Sequence, residues 1–126
     1  MHYKQASAGA KWWIEQMKKK CIDICPSKIK ISNFGQTINI IDVPLSMKFS
    51  KFEQLLADEI LVHLTLYHYI DFGCYYYPNK LLRKIAENAG ISINFFPIHA
   101  HMEIINNTIF VSVDNQDLHK LNVSSN

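Results

Sequence analysis

Residues 70–113 constrain the fold of this chain most, because strong local signals mark several elements there. Residues 70–77 are rich in aromatic and β-favouring side chains, and Pro78 stops the run, since proline cannot donate to a continuing ladder. From Pro78 onward, apolar side chains recur at helical spacing as far as Gly90. We therefore predict a strand followed by a helix, with Pro78 in its first turn and Gly90 as a left-handed cap.

The next signal is that of a β-hairpin. Residues 98–105 and 108–113 flank the dipeptide Asn106-Asn107. Asparagine tolerates the positive φ angles that a tight hairpin turn requires, and both flanks suit a half-buried strand. The order strand, helix, hairpin predicts a mainly antiparallel sheet.

Two further helices are indicated elsewhere. Residues 6–20 place small and large apolar side chains on one stripe, which is typical of an amphipathic helix. Ser50 and Glu53 have the spacing of a capping box and predict that the longest helix begins at Ser50 and ends near Leu66 or Tyr67. Together these elements predict an α+β fold, in which a small antiparallel sheet is covered by helices.

The length favours one domain, residues 1–126, with a separable insertion at residues 21–46. In this insertion two short alternating segments flank a turn, and Pro26 and Pro44 bracket them. It is either a small hairpin or a mobile segment that orders on binding, since two short strands alone are marginally stable in water. Phe34 lies in the turn.

Charge and cysteine content narrow the class of protein. Thirteen basic and eleven acidic residues give a net charge of +2, too little for the broad cationic field that holds a nucleic-acid backbone. Cys21, Cys25 and Cys74 leave one thiol unpaired under any pairing scheme, which favours a reducing compartment. No stretch approaches about 18 uncharged apolar residues. We therefore expect a cytoplasmic protein without a membrane span.

The sharpest chemical pattern is a row of His99, His101 and Glu103, which share one face of a strand because side chains alternate with a period of two. Histidine and carboxylate side chains are ligands for divalent metals. However, His99 and Glu103 lie about 13 Å apart along a strand, so a single ion cannot take all three. A fourth group would be needed from His63, His68 or Asp71. We expect no metal and no other cofactor, and the alternative is a solvent-facing strand face.

A second pattern precedes the predicted helix at Pro78. Tyr75 and Tyr77 could stack on a base, while Asn79, Lys80 and Arg83 could receive a phosphate at the helix start. The alternative is that the alternating tyrosines pack in the core and across strands. This pattern therefore leaves a nucleotide site and a structural role both open.

The remaining residues favour a binding protein. The chain has no Gly-rich phosphate loop and no nucleophile elbow, so we do not expect an enzyme. Trp12 lies off the apolar stripe of its helix and either packs against a neighbouring element or is exposed as an anchor for a partner. Phe34 is a second spare aromatic residue.

In several short sequence segments taken together, the chain resembles small phage and prophage proteins of Gram-positive bacteria. These segments are Ala10-Lys11-Trp12-Trp13, residues 52–57, residues 77–82, Ala89-Gly90-Ile91 and Phe96-Pro97. The resemblance implies a protein that acts against host immunity, in the manner of an anti-CRISPR protein that clamps a defence effector. One alternative is a sponge that sequesters a cyclic or ADP-ribose-type signalling nucleotide, across a homo-oligomer interface. The other is a small metal-dependent hydrolase.

Overall fold

The computed structural model describes residues 2–24, 42–114 and 116–123, of which residues 21–24 and 42–44 are described by their backbone alone. Three helices, a 3-10 turn and five strands follow in the order α1 (Tyr3–Ile24), α2 (Asp42–Tyr67), β1 (Tyr69–Tyr75), β2 (Tyr77–Pro78), α3 (Lys80–Ala89), the turn (Ile93–Phe95), β3 (His99–Ile105), β4 (Thr108–Val113) and β5 (His119–Leu121). Most of the predicted insertion, including Phe34, lies outside the described residues.

The strands form one antiparallel sheet in the order β2-β1-β3-β4-β5, in which β2 is a two-residue edge strand. Strands β3 and β4 form the predicted hairpin, with Ile105 opposite Thr108 and Asn106 at a φ of 56°. The helices pack against one face of this sheet. The arrangement confirms the predicted α+β fold.

The core lies between the sheet and the helices. Alternate residues of β1, β3 and β4 point toward it, because successive side chains of a strand face opposite sides. The buried sheet residues are Ile70, Phe72, Cys74, Ala100, Met102, Ile104, Ile109 and Val111. They form a single cluster with the apolar stripes of α1, α2 and α3.

Helix α1 carries the largest side chain of this core. Trp13 is fully buried, stacks on Phe72 of β1 with ring centroids 5.6 Å apart, and meets Phe96 edge-on. The predicted stripe of α1 is confirmed, and the helix extends further at both ends than predicted.

Helix α2 begins eight residues earlier than predicted, at Asp42. The expected capping box at Ser50 is therefore wrong, since Ser50 is an exposed residue in the middle of the helix. The apolar stripe continues toward the N-terminus through Leu45 and Phe49, so burial extends the helix past the local capping signal. The predicted end near Tyr67 is confirmed. No helix in the described ranges combines the length and apolar content needed to cross a membrane.

The predicted strand of residues 70–77 is interrupted at Tyr76, which has a left-handed φ of 64°. The chain folds back there, so that Tyr77 pairs with Tyr75 and Pro78 pairs with Cys74. The prediction that Pro78 begins the helix is also wrong. Asn79 is the cap of α3, because its side chain accepts a hydrogen bond from the Leu82 backbone N–H at 3.1 Å.

Candidate functional site on the open face of the sheet

The sheet face that points away from the helices carries most of the unusual side chains. We call it the open face, and it comprises Tyr69, Asp71, Gly73, Tyr75 and Tyr77, together with His99, His101, Glu103, Ile105, Thr108, Phe110, Ser112 and Lys120. All are exposed or half-buried. The predicted row of His99, His101 and Glu103 does share this face.

Three consecutive tyrosines form a projecting corner at one end of the open face. Tyr75, Tyr76 and Tyr77 are 75%, 69% and 65% exposed, so the predicted alternative is wrong in placing Tyr75 and Tyr77 in the core. Its cross-strand part is confirmed for Tyr75, which lies opposite His99 on β3. Tyr75 stacks on His99 with centroids 4.9 Å apart, and Tyr76 meets the His99 ring edge-on at 4.8 Å. We call Tyr75, Tyr76 and Tyr77 the tyrosine corner. The contacts with His99 orient two of its three rings.

Beside this corner, a glycine lets a histidine lie across the neighbouring strand. Gly73 pairs with His101, and a Cβ at Gly73 would overlap the carbonyl oxygen of Ala100 and lie 2.9 Å from His101 Nδ1. The imidazole therefore occupies the space that a side chain would take. From there its Nε2 reaches Asp71 Oδ1 at 2.6 Å. The contact with the carboxylate orients the imidazole ring.

Tyr69 extends this network to a second carboxylate. Its hydroxyl donates to Asp71 Oδ2 at 3.0 Å and lies 3.3 Å from Glu103 Oε2. The hydrogen bond to Asp71, with the negative charge of both carboxylates, raises the pKa of Tyr69 to about 12. The open face thus has an oriented polar network next to an aromatic corner.

The histidine row does not gather into a metal site. His99 is engaged by the tyrosine rings and His101 by Asp71. His63 and His68, proposed as extra ligands, lie elsewhere: His63 Nδ1 is 2.9 Å from the Glu59 carbonyl oxygen, and His68 packs on His2. Within the described ranges, no three histidine, cysteine, aspartate or glutamate side chains lie close enough to hold an ion.

The start of α3 lines a groove that the tyrosine corner does not share. Asn79 uses its side-chain oxygen to cap the helix, while Lys80 and Arg83 are exposed. Asn79 and Lys80 line a groove of about 580 Å³, but none of the three corner tyrosines lines it. This groove therefore does not bring the predicted stacking groups and phosphate groups together.

Two other singled-out residues belong to the core. Trp12 is only 7% exposed and packs edge-on against Trp13 at 5.1 Å, which is the packing alternative and not the exposed anchor. Cys74 is buried on the helix side of β1, and this burial raises the pKa of its thiol to about 12. Its thiolate is therefore disfavoured at neutral pH.

The sequence interpretation missed Tyr69 and named Asp71 only as a possible extra metal ligand, not as the partner of His101 in the open face network. Period-two alternation within residues 69–75 already places both on the side of Tyr75. What it does not give is the pairing register that sets Asp71 opposite Glu103 and Gly73 opposite His101.

Comparison with known proteins adds no relative from which a function could be inferred. No protein-family model, no curated protein and no solved structure matches the chain.

Proposed function

We propose that this protein is a binding protein that inhibits a host defence system by docking on a protein effector in the host cytoplasm, in the manner of an anti-CRISPR protein. The observation that carries the proposal is the tyrosine corner, with three exposed rings in a row at one end of the sheet. Tyrosine supplies a large contact area at low entropic cost and is enriched among residues that dominate binding energy.

The geometry of the corner gives this proposal further support. Tyr76 adopts a left-handed backbone that bulky residues rarely accept, and such strain persists where the surrounding structure holds it. The contacts of His99 with Tyr75 and Tyr76 restrict the rings before binding, so less rotamer freedom is lost on docking. The class of partner is suggested by the resemblance to phage proteins alone.

The test is co-purification of the tagged protein from a Gram-positive bacterial host that carries CRISPR and nucleotide-signalling defences. We expect a stoichiometric nuclease subunit in the eluate, identified by mass spectrometry. Expression of the protein should also restore phage infection in the CRISPR-bearing host. Absence of any stoichiometric protein would contradict the proposal.

The two alternative functions predict other outcomes of the same preparation. A sponge would retain a small cyclic or ADP-ribose-type nucleotide that is released on heating and lost in a Lys80→Ala, Arg83→Ala double variant. That nucleotide would also raise the melting temperature, because a ligand that binds only the folded state stabilises it. A small metal-dependent hydrolase would show turnover that a chelator abolishes.

A further inference from the structure

The outer side of β1 is a strand edge that is free within the described residues. Strand β2 pairs only with Cys74 and Tyr75, so residues 69–72 have β3 on one side and no described strand on the other. An edge of this kind presents unpaired N–H and C=O groups that can receive another strand.

The hydrogen bonds around β1 identify which backbone groups point outward. Gly73 accepts a bond from the Asn79 N–H on the outer side, whereas Tyr76 donates to Ile98 on the β3 side. The N–H and C=O of one residue in an antiparallel strand point the same way, and the direction alternates along the chain. Tyr69 and Asp71 therefore direct their backbone groups to the free edge.

This free edge forms one side of the groove beside α3, which we call the edge groove. Its walls are the last turns of α2 and the first turns of α3, and its lining includes Tyr67, Ile70, Phe72, Lys80, Leu81 and Lys84. The groove has a volume of about 580 Å³. The edge is thus recessed between two helix ends, where an added strand would have side-chain contacts as well as ladder bonds.

The charge of the α3 wall indicates what kind of strand would fit. Lys80 and Lys84 are one helical turn apart, exposed, and without an ion-pair partner among the described residues. Across the groove, Asp71 is already bound to His101 and Tyr69, and Glu59 of α2 also lines the groove. The two lysines therefore outnumber Glu59, and the α3 wall is the side of the groove that complements carboxylates.

We propose that the edge groove binds an extended acidic segment of a partner protein by β-strand addition. The segment pairs with the outward backbone groups of Tyr69 and Asp71 and places carboxylates beside Lys80 and Lys84. Main-chain bonds supply affinity in this mode, and side-chain pockets supply specificity. The site is separate from the tyrosine corner, so either surface can fail its test alone.

The probe is a fluorescent nine-residue peptide of alternating Val and Glu, capped at both ends, with an alternating Val and Lys peptide as its counterpart. Anisotropy titration should detect the Glu peptide and not the Lys peptide. A Lys80→Glu, Lys84→Glu double variant should bind the Glu peptide at least tenfold more weakly. The matched Lys48→Glu, Lys51→Glu double variant on exposed α2 positions should bind it as the wild type does.

A backbone readout distinguishes strand addition from simple charge attraction. Amide hydrogen exchange of Tyr69 and Asp71 should slow when the Glu peptide is added, while exchange of Ile70 and Phe72, which bond to β3, should not change. Asp71→Pro removes the outward N–H and should abolish binding, whereas Asp71→Asn keeps that N–H and should retain it. If Asp71→Pro does not fold, the wild-type exchange data decide the question.

Three results would overturn the inference: no binding of the Glu peptide, equal binding of the Lys peptide, or protection of the Tyr69 and Asp71 amides already present in the free protein. A Tyr75→Ser, Tyr77→Ser double variant should still bind the Glu peptide. Failure of the proposed effector binding at the tyrosine corner is thereby distinguishable from failure of the edge groove.

Discussion

The two faces of the sheet are built from the same strands but differ in burial and in side-chain chemistry. On the helix side, Phe72, Met102 and Ile104 are almost fully buried in one apolar cluster. On the open face, Tyr75 projects into solvent and His101 is held by a directional contact with Asp71. The contrast teaches that alternation along a strand separates the residues that stabilise the fold from those that can recognise a partner.

The faces also differ in how they tolerate strain. The side chains on the helix side stabilise the fold roughly in proportion to the apolar area that they remove from water. The tyrosine corner at the end of the open face includes a left-handed Tyr76, a conformation that costs on the order of 1–3 kcal/mol and must be offset by the rest of the structure. We therefore expect the buried core, and not the corner, to supply most of the stability.

The largest loss of stability is expected for a substitution on the helix side of the sheet. Trp13→Ala removes a fully buried ring that stacks on Phe72, and should lower the free energy of unfolding by about 3–5 kcal/mol. Urea denaturation measures this change. Trp13→Phe, which keeps a ring at the site, should cost less. A loss under about 1 kcal/mol for Trp13→Ala would show that this face is not the main core.

A smaller loss of stability is expected when a side chain is added to the strand backbone beneath the open face. Gly73→Ala places a Cβ against Ala100 and His101, and should cost about 1–3 kcal/mol because β3 must shift. It should also separate His101 from Asp71, which NMR of the imidazole nitrogens can detect. Ser112→Ala, opposite His101 on β4, adds no atoms and is the control. Unchanged imidazole signals in Gly73→Ala would contradict this account of the network.

A titration should reveal the open face network directly. In the folded protein the Tyr69 phenol should ionise near pH 12, because Asp71 accepts its hydrogen bond and both carboxylates disfavour phenolate. The unfolded chain releases this proton near the ordinary tyrosine pKa of 10.0, so this contribution to stability is lost as pH rises from about 10 to 12. Ultraviolet difference titration against Tyr69→Phe measures it. Asp71→Asn should lower the midpoint, and a wild-type midpoint near 10 would contradict the network.

The sequence predicted those turns and helix ends that single residues determine through their own backbone conformation. The hairpin follows from the turn residue Asn106, and the end of α3 follows from Gly90, which has a φ of 76°. The start of α2 was mispredicted because burial of Leu45 and Phe49 depends on tertiary contacts that a capping pattern at Ser50 does not reveal.

The candidate site was less predictable because it depends on the pairing of distant strands. The contact between Asp71 and His101 requires the register of β1 against β3. The tyrosine corner requires a left-handed backbone at Tyr76, and the strand propensity of tyrosine does not predict that conformation. Aromatic residues in a strand are typical of packing as well as of binding. Only the fold-back at Tyr76 makes the exposure of all three rings evident.

In our account, the helix side of the sheet stabilises the fold and the open face binds the partner. A Tyr75→Ser, Tyr77→Ser double variant, measured for both stability and effector binding, tests this most directly. Each tyrosine is exposed, and cross-strand pairs contribute roughly 0.2–1 kcal/mol, so unfolding in urea should change by no more than about 1 kcal/mol. Tyr3→Ser, at an exposed position on α1, is the matched control. We predict that the double variant folds as the wild type does and no longer retains the co-purified effector, whereas Tyr3→Ser retains it. Full retention of the effector by the double variant would contradict the account.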